Sequence, residues 1–159
     1  MPNAGKSSLL NSLTNARAKI GAYQFTTLDP NLGDFYKYII ADIPGLIEGA
    51  SSGKGLGTRF LRHIKRTKMI AHLISFENAD MMKTYKQIRK ELESYDKSML
   101  NKDEIIVLTK TDIVEDPKLI SKMIKEFSKL KKPVFTLSLY DDNSIKAFSD
   151  SLIKLLRSQ

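Results

Sequence analysis

Apolar and polar positions change their spacing several times along the chain, and each change marks a candidate element. Leu9, Leu10 and Leu13 follow Gly5 at helical intervals, which predicts a helix over residues 7–13 that begins at the glycine. Residues 20–33 (IGAYQFTTLDPNLG) hold Gly, Pro, Asn and paired threonines without a period and read as a long connection. Residues 34–41 (DFYKYIIA) are aromatic and β-branched, so a strand or short hairpin is expected to run into DIPG. Glycines then crowd at positions 45, 49, 53, 55 and 57, where the backbone is free to change shape. From Thr58 a helix is expected, with Phe60, Leu61, Ile64 and Thr67 inward.

The second half is more regular. Residues 69–76 (MIAHLISF) form one apolar run, 104–108 (EIIVL) a second and 134–139 (VFTLSL) a third, each short enough for a buried strand. Between and after them lie helical stripes. Residues 81–99 place Tyr85, Ile88, Leu92, Tyr95 and Met99 on one face, and 117–130 place Leu119, Ile120, Met123, Ile124 and Phe127. A closing helix is expected over 144–156. Alternation of strand and helix predicts an α/β fold, a mostly parallel central sheet with helices on both faces.

At 159 residues the chain suits one domain, and neither a repeat nor a low-complexity linker divides it. Residues 69–74 are the longest apolar run, far short of the ~20 that a membrane span needs. The absence of cysteine excludes disulfides and thiolate metal sites and fits the cytoplasm. Lys and Arg outnumber Asp and Glu by 26 to 18, a net +8 that favours phosphate-rich partners, either a nucleotide or an RNA surface. Much of this charge lies in residues 54–68 and 121–132, where an ordinary solvated helix face explains it as readily.

Four polar clusters carry candidate chemistry. Pro2-Asn3-Ala4-Gly5-Lys6-Ser7 supplies the last six positions of GxxxxGK[ST], so the motif's first glycine would precede residue 1; a chance GKS at a helix start is the alternative. At such a start, backbone N–H groups and the helix dipole meet a phosphate, Lys6 adds a point cation and Ser7 a hydroxyl for Mg2+. Asp42-Ile43-Pro44-Gly45 leaves a strand into the glycine-rich stretch, where an aspartate can hold a Mg2+-bound water and a glycine N–H a γ-phosphate; an ordinary turn has the same composition. Thr109-Lys110-Thr111-Asp112 follows EIIVL: Asp112 can accept from guanine N1 and N2 while the Lys110 stem covers the ring, or it can simply cap a turn. Ser138 ends the last strand, where a following N–H can reach the guanine oxygen. Their order, with Thr26 and Thr27 between the first two, points to a guanine-nucleotide hydrolase. His63 and His72 have no evident partners and read as structural.

The stretches YQFTTLDPNLG (23–33), DIPGLIEGASSGKGLGTRFLRHIKRT (42–67) and IRKELESY (88–95) closely resemble the G domain of the Obg family of GTPases. The resemblance implies a three-layer, Ras-like P-loop fold, binding of GTP, GDP and Mg2+, slow GTP hydrolysis, and a switch role in ribosome assembly through a ribosomal subunit or rRNA. It implies a cytoplasmic monomer. It assigns Ser7 and Thr27 to Mg2+, residues Pro2, Asn3, Ala4, Gly5, Lys6, Ser7 and Ser8 to the phosphates, Phe25, Thr26, Thr27 and Leu28 to the first switch, and Asp42, Ile43, Pro44 and Gly45 to the second. Thr109, Lys110, Thr111, Asp112, Ser138, Leu139 and Tyr140 would hold the base. Asn3, Lys6, Thr27 and Gly45 would be catalytic. Leu46 stands where related enzymes orient water with glutamine, and Asn3 is placed to hold a potassium ion instead.

The sequence departs from the family in three respects. Thr109 replaces an asparagine, Leu139 a small residue, and the 34–40 hairpin is short. Read against the family, the chain is a single G domain, residues 1–159, truncated within its phosphate loop. A basic RNA- or ribosome-binding module with a degenerate nucleotide site, and an ATP-using P-loop enzyme, are the rival expectations.

Overall fold

The computed structural model describes residues 5–14, 31–42 and 67–158. Three strands, β3 (Met69–Ser75), β4 (Asp103–Thr109) and β5 (Val134–Leu137), form a parallel sheet in the order β3-β4-β5. Parallel neighbours need long crossovers, and the helices α2 (Met81–Tyr95) and α3 (Pro117–Ser128) supply them. Ser75 pairs with Thr109 and Thr109 with Leu137, so all three strands end level at one rim.

Central strand β4 explains the two-sided core. Every residue from Glu104 to Thr109 is buried, as a parallel strand covered on both faces requires. Ile105 and Val107 point to one side, against Leu9 of helix α1 (Lys6–Leu13) and Phe148, Leu152 and Ile153 of α4 (Asp142–Arg157). Ile106 and Leu108 point to the other, against Met81 and Tyr85 of α2 and Phe127 of α3. This is an α/β architecture, a parallel sheet with helices on both faces, as the alternating pattern predicts.

Strands β1 (Asn31–Phe35) and β2 (Tyr38–Asp42) form an antiparallel hairpin closed by Tyr36 and Lys37, with Tyr36 at φ 55°. Among the described residues no backbone ladder joins it to the parallel sheet. Packing joins them instead: Phe35 is 1% exposed within the α1–α4 core, and the Tyr38 hydroxyl donates to the Leu156 carbonyl at 3.0 Å. A Cβ on Gly33 would lie 2.3 Å from Thr14 Cγ2, so glycine is what lets β1 run against the end of α1.

Helix starts follow the sequence, since Asp80, Asp116 and Asp141 each accept a backbone N–H from the first turn of α2, α3 and α4. Other boundaries differ from expectation. The connection expected through residue 33 ends earlier, because 31–33 pair with 40–42. The helix expected to reach Met99 stops at Tyr95; Asp96 turns extended, accepts from Ser98 N at 2.9 Å and opens a short 3₁₀ turn, Lys97–Asn101, that buries Met99. Leu119 is 42% exposed rather than core. The last strand stops at Leu137, leaving Ser138 just beyond it. The helix expected from Thr58 lies outside the described residues.

Candidate functional site

At the N-terminus of α1, Gly5 is the cap residue at φ 77°, a left-handed conformation that favours glycine. Lys6 and Ser7 open the helix directly after it, and Ser8 is exposed on the first turn. The Ser7 hydroxyl donates to Asp42 Oδ2 at the end of β2, so the helix start and the hairpin meet through a side-chain bond. Asp42 is 8% exposed, and its second oxygen, Oδ1, is buried with no hydrogen-bond partner among the described residues. A buried carboxylate oxygen left open in this way is costly unless something donates to it.

The second half of the site is built at the ends of β4 and β5. Thr109 is the last residue of β4 and is buried, with its carbonyl accepting from Phe76 N at 3.0 Å. Lys110 then turns left-handed at φ 62° and leads into a single 3₁₀ turn, Thr111–Ile113. Its ammonium reaches Glu77 Oε2 at 2.6 Å, beyond the end of β3, which holds the stem across the rim. Asp112 is exposed, and its Oδ1 accepts from the Ser138 hydroxyl at 2.8 Å. That same hydroxyl accepts from Tyr140 N at 3.2 Å, and Ser138 N donates to Ser144 Oγ at 3.0 Å. Tyr140 itself is 91% exposed.

Leu139 links the halves. A Cβ built on Gly5 would lie 3.2 Å from Leu139 Cδ1, so the leucine lies directly against the glycine while its own side chain packs on the α1–α4 core. Asp42, Ser7, Gly5, Leu139, Ser138 and Asp112 therefore form one continuous line of contacts, although residues 5 and 139 lie at opposite ends of the chain. Of the candidate residues, Gly5, Lys6, Ser7, Ser8, Asp42, Thr109, Lys110, Thr111, Asp112, Ser138, Leu139 and Tyr140 fall among the described ones. Pro2, Asn3, Ala4, Phe25, Thr26, Thr27, Leu28, Ile43, Pro44 and Gly45 lie outside them, as do Leu46 and His63.

The donor set at Ser7 and Asp42 fits Mg2+. With its proton given to Asp42, the Ser7 oxygen keeps lone pairs for a hard cation, and Asp42 Oδ1 is free to accept from a metal-bound water. No cluster of three His, Cys, Asp or Glu that would suit a transition metal occurs among the described residues.

A second polar cluster was not legible in the sequence. Glu104, near the opposite end of β4, has a fully buried side chain that is bonded by Lys132 Nζ at 2.7 Å, His72 Nδ1 at 3.1 Å and the Tyr85 hydroxyl at 3.3 Å, and it forms an ion pair with Arg89 Nη1 at 3.1 Å without a hydrogen bond from that nitrogen. Burial would raise its pKa, but hydrogen bonds from His72 and Lys132 and the Arg89 charge outweigh this and hold it at about 2. Tyr85 is pushed up to about 12, first by burial and then by the Glu104 charge. His72 thus does have partners, contrary to expectation, and the Tyr85 ring lies 4.9 Å away. Its place in the middle of β3, bonded to the far end of β4, keeps it structural.

Two comparisons with known proteins bear on the arrangement. The family model described as "50S ribosome-binding GTPase" matches residues 1–110. The GTPase Obg of Pelagibacter ubique (strain HTCC1062) is 51% identical over 158 residues, covering 96% of this chain and 48% of that protein. The GTPase Obg of Persephonella marina (strain DSM 14350 / EX-H1) is 47% identical over 98% of the chain and 47% of its own length. That of Rickettsia felis (strain ATCC VR-1525 / URRWXCal2) is 43% identical over the whole chain and 49% of its own length. The chain spans about half the length of the curated relatives it matches.

Proposed function

Since the chain belongs to the 50S ribosome-binding GTPase family, as an Obg-type G domain, we propose that its 159 residues act as a single G domain that binds GTP with Mg2+ and hydrolyses it to GDP and phosphate. The observation that carries this reading is the line of contacts from Asp42 through Ser7, Gly5 and Leu139 to Asp112. A nucleoside triphosphate needs a phosphate cradle and a base clamp a fixed distance apart, and Leu139 against Gly5 holds those two parts together.

In this reading the residues divide the work. The start of α1 at Gly5 and Lys6 offers aimed N–H groups, a helix dipole and an ammonium to the β- and γ-phosphates. Ser7 and Thr27 would hold Mg2+, with Asp42 beside them, and the ion when bound would neutralise charge on the phosphates. Asp112, its Oδ1 already fixed by Ser138, turns its other oxygen to the guanine edge. An adenine edge offers no matching pair of donors, so ATP is excluded by chemistry rather than by size. Lys110, tethered to Glu77, covers one face of the base. Leu46 cannot bond water; Asn3 would instead hold a potassium ion, whose charge would offset the negative charge of hydrolysis. Thr27 and Gly45 would contact the γ-phosphate and lose that contact after hydrolysis.

Such a cycle suits a timer read by a ribosomal subunit or its RNA in the cytoplasm, with the domain working as a monomer. Among the described residues no helix is long and apolar enough to cross a membrane. Single-turnover hydrolysis of GTP with Mg2+ tests the proposal. Phosphate release is expected to be faster in KCl than in NaCl, with Asn3→Ala erasing the difference. Release no faster than in Lys6→Ala would contradict it.

A further inference from the structure

Helix α3 carries a charge arrangement that the nucleotide site does not use. Its apolar stripe of Ile120, Met123, Ile124 and Phe127 faces the sheet, with Phe127 fully buried. On the opposite side stand Lys118, Lys122, Lys125 and Lys129, all exposed. At 100° per residue these four fall within an arc of roughly 60°, spaced about 4.5 to 6 Å along the axis. Among the described residues none of the four forms an ion pair. A shallow groove of about 580 Å³ runs along their stems, with Ser121 and the half-buried Glu126 at its side.

An ordinary solvated face mixes its signs, as α2 and α4 do. On α4 the exposed positions run Asp142, Lys146, Asp150, Lys154, each charge offset by its neighbour one turn away. On α2, Gln87 and Glu93 interrupt the lysines. The α3 face sets four lysines one turn apart against a single half-buried Glu126 at its side, and like charges one turn apart repel. Self-repulsion of this kind is relieved by an anion that presents charge at similar intervals.

We propose that the outer face of α3 is a docking surface for the phosphate backbone of structured RNA. A straight helix holds the four ammonium groups in a row about 16 Å long, which fits a row of phosphates rather than a single small anion. The groove lets the lysine stems lie flat while their heads reach outward. RNA is chosen over other polyanions because the proposed function has a ribosomal partner, and the inference rests on that reading to this extent. The stripe begins just beyond the base-binding turn at Asp112, so RNA held on α3 lies next to the element that clamps the nucleotide.

The test is fluorescence anisotropy of the full chain with a labelled RNA duplex of about two helical turns, across 50 to 200 mM salt, beside fluorescent GDP. A variant with Lys118→Gln, Lys122→Gln, Lys125→Gln and Lys129→Gln is compared with one carrying Lys83→Gln, Lys86→Gln, Lys90→Gln and Lys146→Gln. Both lose the same net charge, and glutamine keeps helix propensity. The α3 variant is expected to lose affinity for the duplex on the order of 100-fold at low salt and to reduce the salt slope by about 3 to 4, with GDP binding unchanged in both. Equal losses in the two variants would overturn the proposal, because net charge alone would then be responsible. Tighter binding to an equivalent DNA duplex, or to vesicles rich in phosphatidylglycerol, would also overturn it. Loss of GDP binding by the unmodified chain with RNA binding intact would strike the nucleotide reading alone.

Discussion

Replacing Glu104 by glutamine removes the carboxylate charge from a buried cluster that keeps Lys132, Arg89 and His72 around it. The carboxylate is held at a pKa of about 2 against an ordinary 4.5, a displacement that corresponds to roughly 3 kcal/mol of folding stability. Because the folded-state pKa lies below the unfolded one, this contribution is fully present above about pH 5 and is lost as pH falls from there toward 2. Removing one partner of a buried charge group costs about 3–5 kcal/mol in general, which agrees with that figure. Glu104→Gln is therefore expected to lose about 3 kcal/mol at pH 7, or roughly 6–12 °C in Tm for a chain of this size. Urea unfolding of both proteins at a series of pH values from 7 down to 2.5 measures it. The gap is expected to be widest at neutral pH and to close as acid protonates Glu104 in the unmodified protein. A gap under about 1 kcal/mol at pH 7, or one that stays constant with pH, would refute the reasoning.

Leu139→Ala opens the contact between base loop and phosphate loop, and GDP affinity is expected to fall by roughly three- to tenfold, read by equilibrium titration, as expected for partial loss of one apolar contact. Thr109→Asn adds an amide with two donors where a hydroxyl has one, and is expected to tighten GDP binding about fivefold, the value of one further hydrogen bond. Gly33→Ala places a Cβ 2.3 Å from Thr14 Cγ2; calorimetry is expected to find a loss of about 1–3 kcal/mol, while unchanged stability would mean that α1 shifts freely past β1.

Parts of this fold are legible because local chemistry and tertiary need agree. EIIVL is a continuous apolar run because β4 is covered on both faces, and Asp80, Asp116 and Asp141 mark helix starts because each caps one. The end of α2 was not legible for a physical reason. Met99 continues the apolar period one turn past Tyr95, but it is buried by a 3₁₀ turn that Asp96 opens, and periodicity cannot distinguish the two. At the candidate site the order of the motifs was readable, since each lies where a strand or helix ends at the rim. The contacts among them were not. Nothing local to Leu139 announces Gly5, and the Ser138 hydroxyl was read only as the residue before a useful N–H, whereas it bonds Asp112 directly. Glu104 was hidden in the same way: its partners come from residues 72, 85, 89 and 132, and within its own strand it reads as the edge of an apolar run.

The account rests on guanine recognition by Asp112, and a change of base specificity tests this most directly. Competition of GTP, ATP and XTP against fluorescent GDP, measured with the unmodified chain and with Asp112→Asn, gives the answer. The unmodified chain is expected to prefer GTP over the other two. The amide of Asp112→Asn offers a donor toward the carbonyl that xanthine carries in place of the guanine amine, so preference is expected to pass to XTP while the fold is kept. An unmodified chain that binds ATP as tightly as GTP, or an Asp112→Asn variant that keeps its preference for guanine, would contradict the account.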